Sequence, residues 1–342
     1  MKVRVSLAVA LCLVCCTHAL AVDIETVPVG NPGNADDTQV MSDGTTGYGR
    51  VDYEYDIGKY EVTAGQYTDF LNAVAATDTY GLYSSSMWSG WSGEYGCGIQ
   101  RSGFSGSYTY SVPDANYVNR PVTFVSWGDA ARFCNWLENG QPTGTQDLTT
   151  TEDGSYYLNG AMTNAELLAV TRHQRDGIWA LPTEDEWYKA AYHKNDGATG
   201  NYFDYPTTNN STPSNELINP DPGNNATYCA FDGEFTYTID SPYWRTEFGA
   251  HENSESPYGT FDQGGNVYEW NEAILSGSGM RGGSFDSHWG ELAARARVSW
   301  YTPSNHYLTV GFRVAEVPEP VTLTLLAFGG AAVLVRRRGV GR

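Results

Sequence analysis

Three stretches of the chain carry apolar residues at helical spacing, each behind a hydroxyl cap. In the first, Tyr67, Phe70, Leu71 and Val74 recur at i, i+3, i+4 and i+7 behind Thr63, and Gln66 completes a capping box. In the second, Ser126 leads into Trp127, Ala130, Ala131, Cys134 and Leu137 on one face. In the third, Pro182 and Thr183 precede Glu184-Asp185-Glu186. Glu186 completes the box, and all three carboxylates favour the positive end of the helix dipole, so they are capping residues first. Alternation with period two predicts an exposed strand over 51–57, where Val51, Tyr53, Tyr55 and Ile57 interleave with acids. It also predicts a buried strand over Val122–Val125 and a short half-buried one over 266–270, entered through Gly264-Gly265. Elsewhere turn formers dominate: a hairpin-like stretch over 140–160 and a loop-rich region over 199–257.

The segment 78–118 is rich in Tyr, Ser, Gly and Trp. Its rings either stack on sugars or pack against one another in a β-rich insertion. With 41% hydrophobic residues in 342, the chain is ample for a large core and slightly long for one simple domain. Only 18% is charged, which argues against bundles and coiled coils.

Charge changes the picture further. The net charge is −20, and without the basic Lys2, Arg4, Arg336, Arg337, Arg338 and Arg342 it falls to −26. So acidic a body excludes phosphate-backbone binding and nucleic-acid partners; it suits an extracellular protein or one that collects divalent cations. Residues 1–21 read as a secretory signal: a basic start, a short apolar run, and Ala19-Leu20-Ala21 for cleavage. Lipidation is disfavoured by Val14 and Cys15 ahead of Cys16. The mature chain keeps Cys97, Cys134 and Cys229, an odd number that permits at most one disulfide. At the far end Val317-Pro318-Glu319-Pro320 precedes an apolar run over 321–335 and three arginines. This resembles the PEP-CTERM sorting signal (317–342), which implies a short transmembrane segment and a membrane sortase as partner.

Candidate chemistry concentrates in Gly259–Ala315. The stretch Phe261-Asp262-Gln263-Gly264-Gly265-Asn266-Val267-Tyr268-Glu269-Trp270 can aim two carboxylates and turn carbonyls at one spot, as Ca2+ requires. The plainer reading is that Glu269 caps a turn without metal. This block, then RGGSF (281–285) and GFRVA (311–315), resembles the successive signatures of the formylglycine-generating enzyme (sulfatase-modifying factor) family. So do IGKYEVT near the start, VSWGDAARFCNWL and LPTEDEW. The resemblance covers residues 45–315. It implies a single large irregular α+β domain over 22–316, related to the C-type lectin fold, with few helices and many short strands.

Carried over, the family's structural Ca2+ would take Asp262, the carbonyls of Gly265 and Val267, and Glu269. A second calcium site matches Asn225, Ala226 and Asp240, with a plain solvated loop as the alternative. The family's active-site stretch falls on Ser284, Ser287, His288 and Tyr268. Its enzymes hold Cu(I) with two cysteines, and here Ser287 stands at the first and Leu292 at the second. Thiolates suit Cu(I) and hydroxyls do not, so copper is not expected. A hydrolase built on Asp286, Ser287 and His288 is disfavoured because adjacent residues rarely face one another. The mature histidines, His173, His193, His251, His288 and His306, are scattered in sequence. The expectation is therefore an exported cell-envelope or extracellular protein. It would be a non-catalytic, calcium-stabilised binding or structural module facing extracellular polysaccharide or protein. The alternative is a formylglycine-generating or related metal-dependent oxidase, acting on protein cysteine through an altered centre.

Overall fold

The computed structural model describes residues 21–90, 94–173, 178–276, 279–298 and 301–317. Apart from Ala21 and Val317, the expected signal and sorting tail lie outside these residues, the run 321–335 included. All three capping boxes are present. Helix Ala64–Val74 starts at Thr63, helix Trp127–Glu138 at Ser126 with Asp129 completing the box, and helix Glu184–Tyr192 at Thr183. The first two bury their apolar faces in one aromatic cluster: Phe70 and Phe133 rings lie 5.3 Å apart, and Phe133 and Phe312 5.4 Å. Burial of each such ring contributes about 1.5–3 kcal/mol.

Two small sheets position the site. The larger runs in the order Thr26–Val29, Tyr55–Gly58, Ala315–Val317, Ile178–Ala180, antiparallel throughout. The expected exposed strand over 51–57 is thus corrected. Only Tyr55–Gly58 pairs, and it is interior, because Ala315–Val317 closes its second edge. The second sheet places Tyr268–Trp270 between Val310–Gly311 (parallel) and Met280–Arg281 (antiparallel). This strand is buried along its whole length rather than half-buried. The blocks around 265, 281 and 311 are thereby laid side by side.

Val122–Val125 is buried but not a strand, since Phe124 takes φ 58°, which no ladder accommodates. Residues 140–160 form turns rather than a hairpin, organised by Asp147 and by Glu152, whose carboxylate holds Arg132 at 2.6 Å. The insertion carries a short helix, Ser86–Ser89, and a hairpin, Gln100–Ser102 with Thr109–Ser111. It packs rings on its own arginine, Arg101 lying between Tyr83 (4.7 Å) and Tyr108 (4.3 Å), yet leaves Trp88 and Phe104 exposed. Among the described residues no helix is long and apolar enough to cross a membrane.

Candidate functional site

The turn that precedes Tyr268–Trp270 has a backbone few residues tolerate. Asp262, Gly265 and Asn266 take φ of 60°, 89° and 60°. A Cβ on Gly265 would lie 2.2 Å from the Thr227 carbonyl oxygen, so glycine is required there. The turn is pinned from both sides: Gly265 N–H donates to Gly282 O (2.8 Å), Asn266 N–H to Thr227 O (2.7 Å), and Phe285 N–H to Asn266 O (2.9 Å). The Asn266 side chain accepts from Thr246 N–H (3.1 Å) and donates to Glu61 Oε2 (3.2 Å).

Glu269, fully buried, accepts from Arg313 Nε (2.6 Å) and Nη2 (2.7 Å) and from Trp187 Nε1 (2.7 Å). Arg313 also donates to the carbonyls of Gly58 (2.8 Å) and Phe261 (2.8 Å), clamping the chain's beginning to its end. Asp262 Oδ2 accepts from Gly249 N–H (2.9 Å). Burial holds the Asp262 carboxyl above the usual range, against the pull of His251, the Gly249 N–H and Arg313. Burial, then Asp262 and Glu269, push Glu61 well above it. Glu61 Oε1 and His251 Nδ1 are buried without hydrogen-bond partners, and burial keeps His251 on the neutral side of its ordinary value.

Of the four expected ligand positions, all lie on this one turn and strand. The residues that sequence reasoning misses are Glu61, Trp187, His251 and Arg313. Glu61 stands within the YEVT signature and Arg313 within GFRVA, but neither signature says that both converge on Glu269. Among the described residues no three His, Cys, Asp or Glu side chains come together as a metal-holding group. A cation here must therefore draw on backbone carbonyls, as a hard oxygen-seeking ion does. The turn fits one on two counts. Glu269 keeps one of about four acceptor positions, on Oε1, after its three hydrogen bonds. And the buried carboxyls of Glu61 and Asp262 lie within electrostatic reach of the Glu269–Arg313 pair, where burial resists their ionisation unless a cation joins them.

The second expected group lies in a network of its own. Asn225 and Ala226 are adjacent and buried, but the carboxylate that meets the Asn225 amide is Asp221, which also accepts from Ser254 Oγ (2.7 Å) and Asn253 N–H (3.0 Å). The Ala226 carbonyl takes the Thr238 hydroxyl (3.3 Å). Asp240 is exposed on a turn, where its carbonyl accepts from Tyr243 and Trp244, and no hydrogen bond joins it to Asn225.

The serine stretch is closed in on itself. Ser287 Oγ accepts from Ser284 N–H (3.0 Å) and lies 3.2 Å from Ser284 Oγ, and both side chains are buried. His288 is exposed and its Nδ1 caps the Trp289–Glu291 turn through Gly290 N–H (3.4 Å). Asp286 accepts from Tyr237 Oη (2.9 Å). The three adjacent residues thus face three different partners, and no proton relay links them. Tyr268 donates its hydroxyl to Glu291, and burial, then Glu291, push its ionisation up. Leu292 is fully buried and packs with Tyr205, Tyr228 and Ala293.

One thiol reaches this stretch from afar. Cys229 N–H donates to Ser287 O (2.9 Å), and burial, then Asp286, push its thiol up, so it stays protonated. All three described cysteines are free. Cys97 lies against Thr123 O (3.7 Å) and Cys134 inside its helix, so neither completes a pair with Cys229.

Solved structures of similar shape include CarF (20% identity over 87% of this chain and 99% of that one, TM-score 0.44). Treponema denticola variable protein 1 is similar at 19% identity over 87% and 96%, TM-score 0.49. PvdO from Pseudomonas aeruginosa is similar at 18% over 86% and 92%, TM-score 0.39. No curated protein matches. The model of the sulfatase-modifying factor enzyme 1-like domain matches residues 31–317, and the chain belongs to that family.

Proposed function

We propose that this protein is an exported, membrane-sorted module in which the family scaffold serves binding or structure instead of cysteine oxidation. The observation that carries this reading is the pair of residues where the family's copper thiolates belong. Ser287 is hydrogen-bonded into the Ser284 turn, and Leu292 is sealed in an apolar cluster. A hydroxyl and an alkyl chain give Cu(I) no soft ligand. Cys229 offers one thiol beside Ser287 and favours, as the second reading, an oxidase with an altered centre. A lone protonated thiol supplies neither the two-thiolate site nor an exchange partner.

Calcium would be held by Asp262, the Gly265 and Val267 carbonyls and Glu269, and would supply charge neutralisation that locks the turn to its strand. The protein's own residues do the rest: Arg313 orients Glu269, Asn266 spaces the two carbonyls, and Gly249 N–H orients Asp262. The ligand class we infer is extracellular polysaccharide. Exposed rings support this: Trp88 and Phe104 on the insertion, and Phe231 and Phe235, 4.9 Å apart, on the hairpin beside Ser287. The sorting tail and its membrane sortase, and kinship with the C-type lectin fold, belong to the same reading.

Elemental analysis of the purified protein, Cu(I) titration and a cysteine-peptide oxidation assay test it together. Calcium without copper and no turnover is the expected result; turnover would establish the altered oxidase. A glycan array with and without chelator tests the ligand class, and absence of calcium-dependent sugar binding would leave a protein surface as the partner.

A further inference from the structure

Two of the buried polar atoms without partners, Glu61 Oε1 and His251 Nδ1, lie by the turn, and the first belongs to a carboxyl group. Glu61 is 2% exposed, its Oε2 holds the Asn266 amide, and its Oε1 has no hydrogen-bond partner. Its position follows from the backbone: Phe261 N–H donates to Lys59 O (2.9 Å), the Tyr60 and Phe261 rings lie 5.6 Å apart, and so Glu61 is carried alongside Asp262. An ionised carboxylate in such a place is unfavourable unless a cation or a proton meets it. Arg313 is committed to Glu269 and three backbone carbonyls. Arg245, the other buried cation in electrostatic reach, donates to the carbonyls of Tyr95 and Gly96. Even counting both guanidinium groups, full ionisation of the three carboxyls would leave one negative charge unmatched, and burial accordingly resists it.

We infer that Glu61 is an outer-sphere member of the Asp262–Glu269 cation site: its carboxylate supplies a third negative charge and fixes Asn266, the residue between the two carbonyls that face the ion. It is a positioning residue and not a ligand, consistent with the absence, among the described residues, of a three-carboxylate group that could hold a metal. The inference rests on the calcium reading of the same turn. It extends that reading to a residue about two hundred positions earlier in the chain. Outer-sphere groups of this kind set metal affinity through ligand orientation and local charge. They do so here without contact, because the surrounding interior screens charge weakly.

The test compares the full protein with Glu61→Gln, an isostere that still accepts from Asn266 and removes only the charge. Ca2+ affinity is read by competition with a chromophoric chelator, and Tm is read with and without Ca2+. We expect E61Q to weaken Ca2+ binding by about 10-fold or more. Its Tm in chelator should stay close to that of the unmodified protein, because glutamine keeps the shape and the Asn266 contact of the cation-free carboxyl. Glu61→Asp, which keeps the charge, should retain most of the affinity. Unchanged Ca2+ affinity in E61Q would overturn the inference while leaving the calcium site intact. A lower chelator Tm with unchanged affinity, or failure of E61Q to fold, would mark a merely structural role and overturn it as well. No Ca2+ binding by the unmodified protein would instead remove the calcium reading itself, and the inference with it.

Discussion

Replacing Arg313 by Met is the sharpest probe of what holds this fold together. Arg313 is fully buried and donates to both oxygens of Glu269 and to the carbonyls of Gly58, Lys59 and Phe261. Methionine keeps much of the bulk and removes every one of those donors. Glu269 is then left charged, at 0% exposure, with the Trp187 N–H as its hydrogen-bond donor. Breaking a buried ion pair on one side costs about 3–5 kcal/mol, because the remaining charge is stranded. The three carbonyls lose a net bond each, but these losses overlap with the first, so about 4 kcal/mol is a fair centre. With an unfolding entropy of about 2 cal/mol/K per residue over about 290 residues, ΔSm is about 0.6 kcal/mol/K. The expected drop in Tm is therefore about 7 °C.

The assay is reversible thermal or urea unfolding in chelator, so that cation linkage does not enter. The double variant R313M/E269Q removes the stranded charge and should recover about half of the loss, about 2 kcal/mol, and the E269Q single variant closes the cycle that gives the coupling energy. A loss below about 1 kcal/mol in R313M, or a double variant no better than the single one, would refute the claim that this pair is the electrostatic keystone of the sheet.

Two further outcomes are expected. Gly265→Ala should destabilise by about 3 kcal/mol, since its Cβ would meet the Thr227 carbonyl at 2.2 Å in a left-handed backbone; denaturant unfolding measures it, and a change under about 1 kcal/mol would contradict the turn geometry. Glu272, whose Oε1 accepts from Tyr156 Oη (2.7 Å), is pushed up to about 7 from 4.5 by burial, with Arg172 opposing. A carboxyl with a raised folded pKa favours the fold fully below its unfolded value, so this contribution should fade as pH rises from about 4.5 through 7. Glu272→Gln should flatten that slope in a series of melts across pH, and an identical slope in both proteins would exclude Glu272 as its source.

What is legible in this sequence is what is local or periodic. Thr63, Ser126 and Thr183 announce their helices because a cap and its box lie within four residues of each other, and all three form. Tyr67, Phe70, Leu71 and Val74 announce a core because their spacing is that of a helix face. The strand Tyr55–Gly58 is legible as a strand but not as an interior one, since its burial depends on Ala315–Val317, far along the chain. Phe124 shows the opposite limit: an apolar run reads as a strand, and a positive φ that no apolar pattern encodes prevents it.

The polar interior is harder to read for a related reason. Buried polar partners have no period. Glu269 and Arg313 sit in recognisable blocks, yet their pairing appears only when Val310–Gly311 is laid parallel to Tyr268–Trp270. The Asn225 amide meets Asp221 in an Asx turn whose carboxylate also takes Gly223 N–H and Ser254 Oγ, a convergence that no apolar spacing encodes. The same logic brings Cys229 beside Ser287, a contact between two backbones that side-chain chemistry does not foreshadow. Charge, unlike apolarity, must be matched residue by residue. Among the described residues the one buried carboxylate oxygen without a hydrogen-bond partner is on Glu61, and no single signature block reveals it.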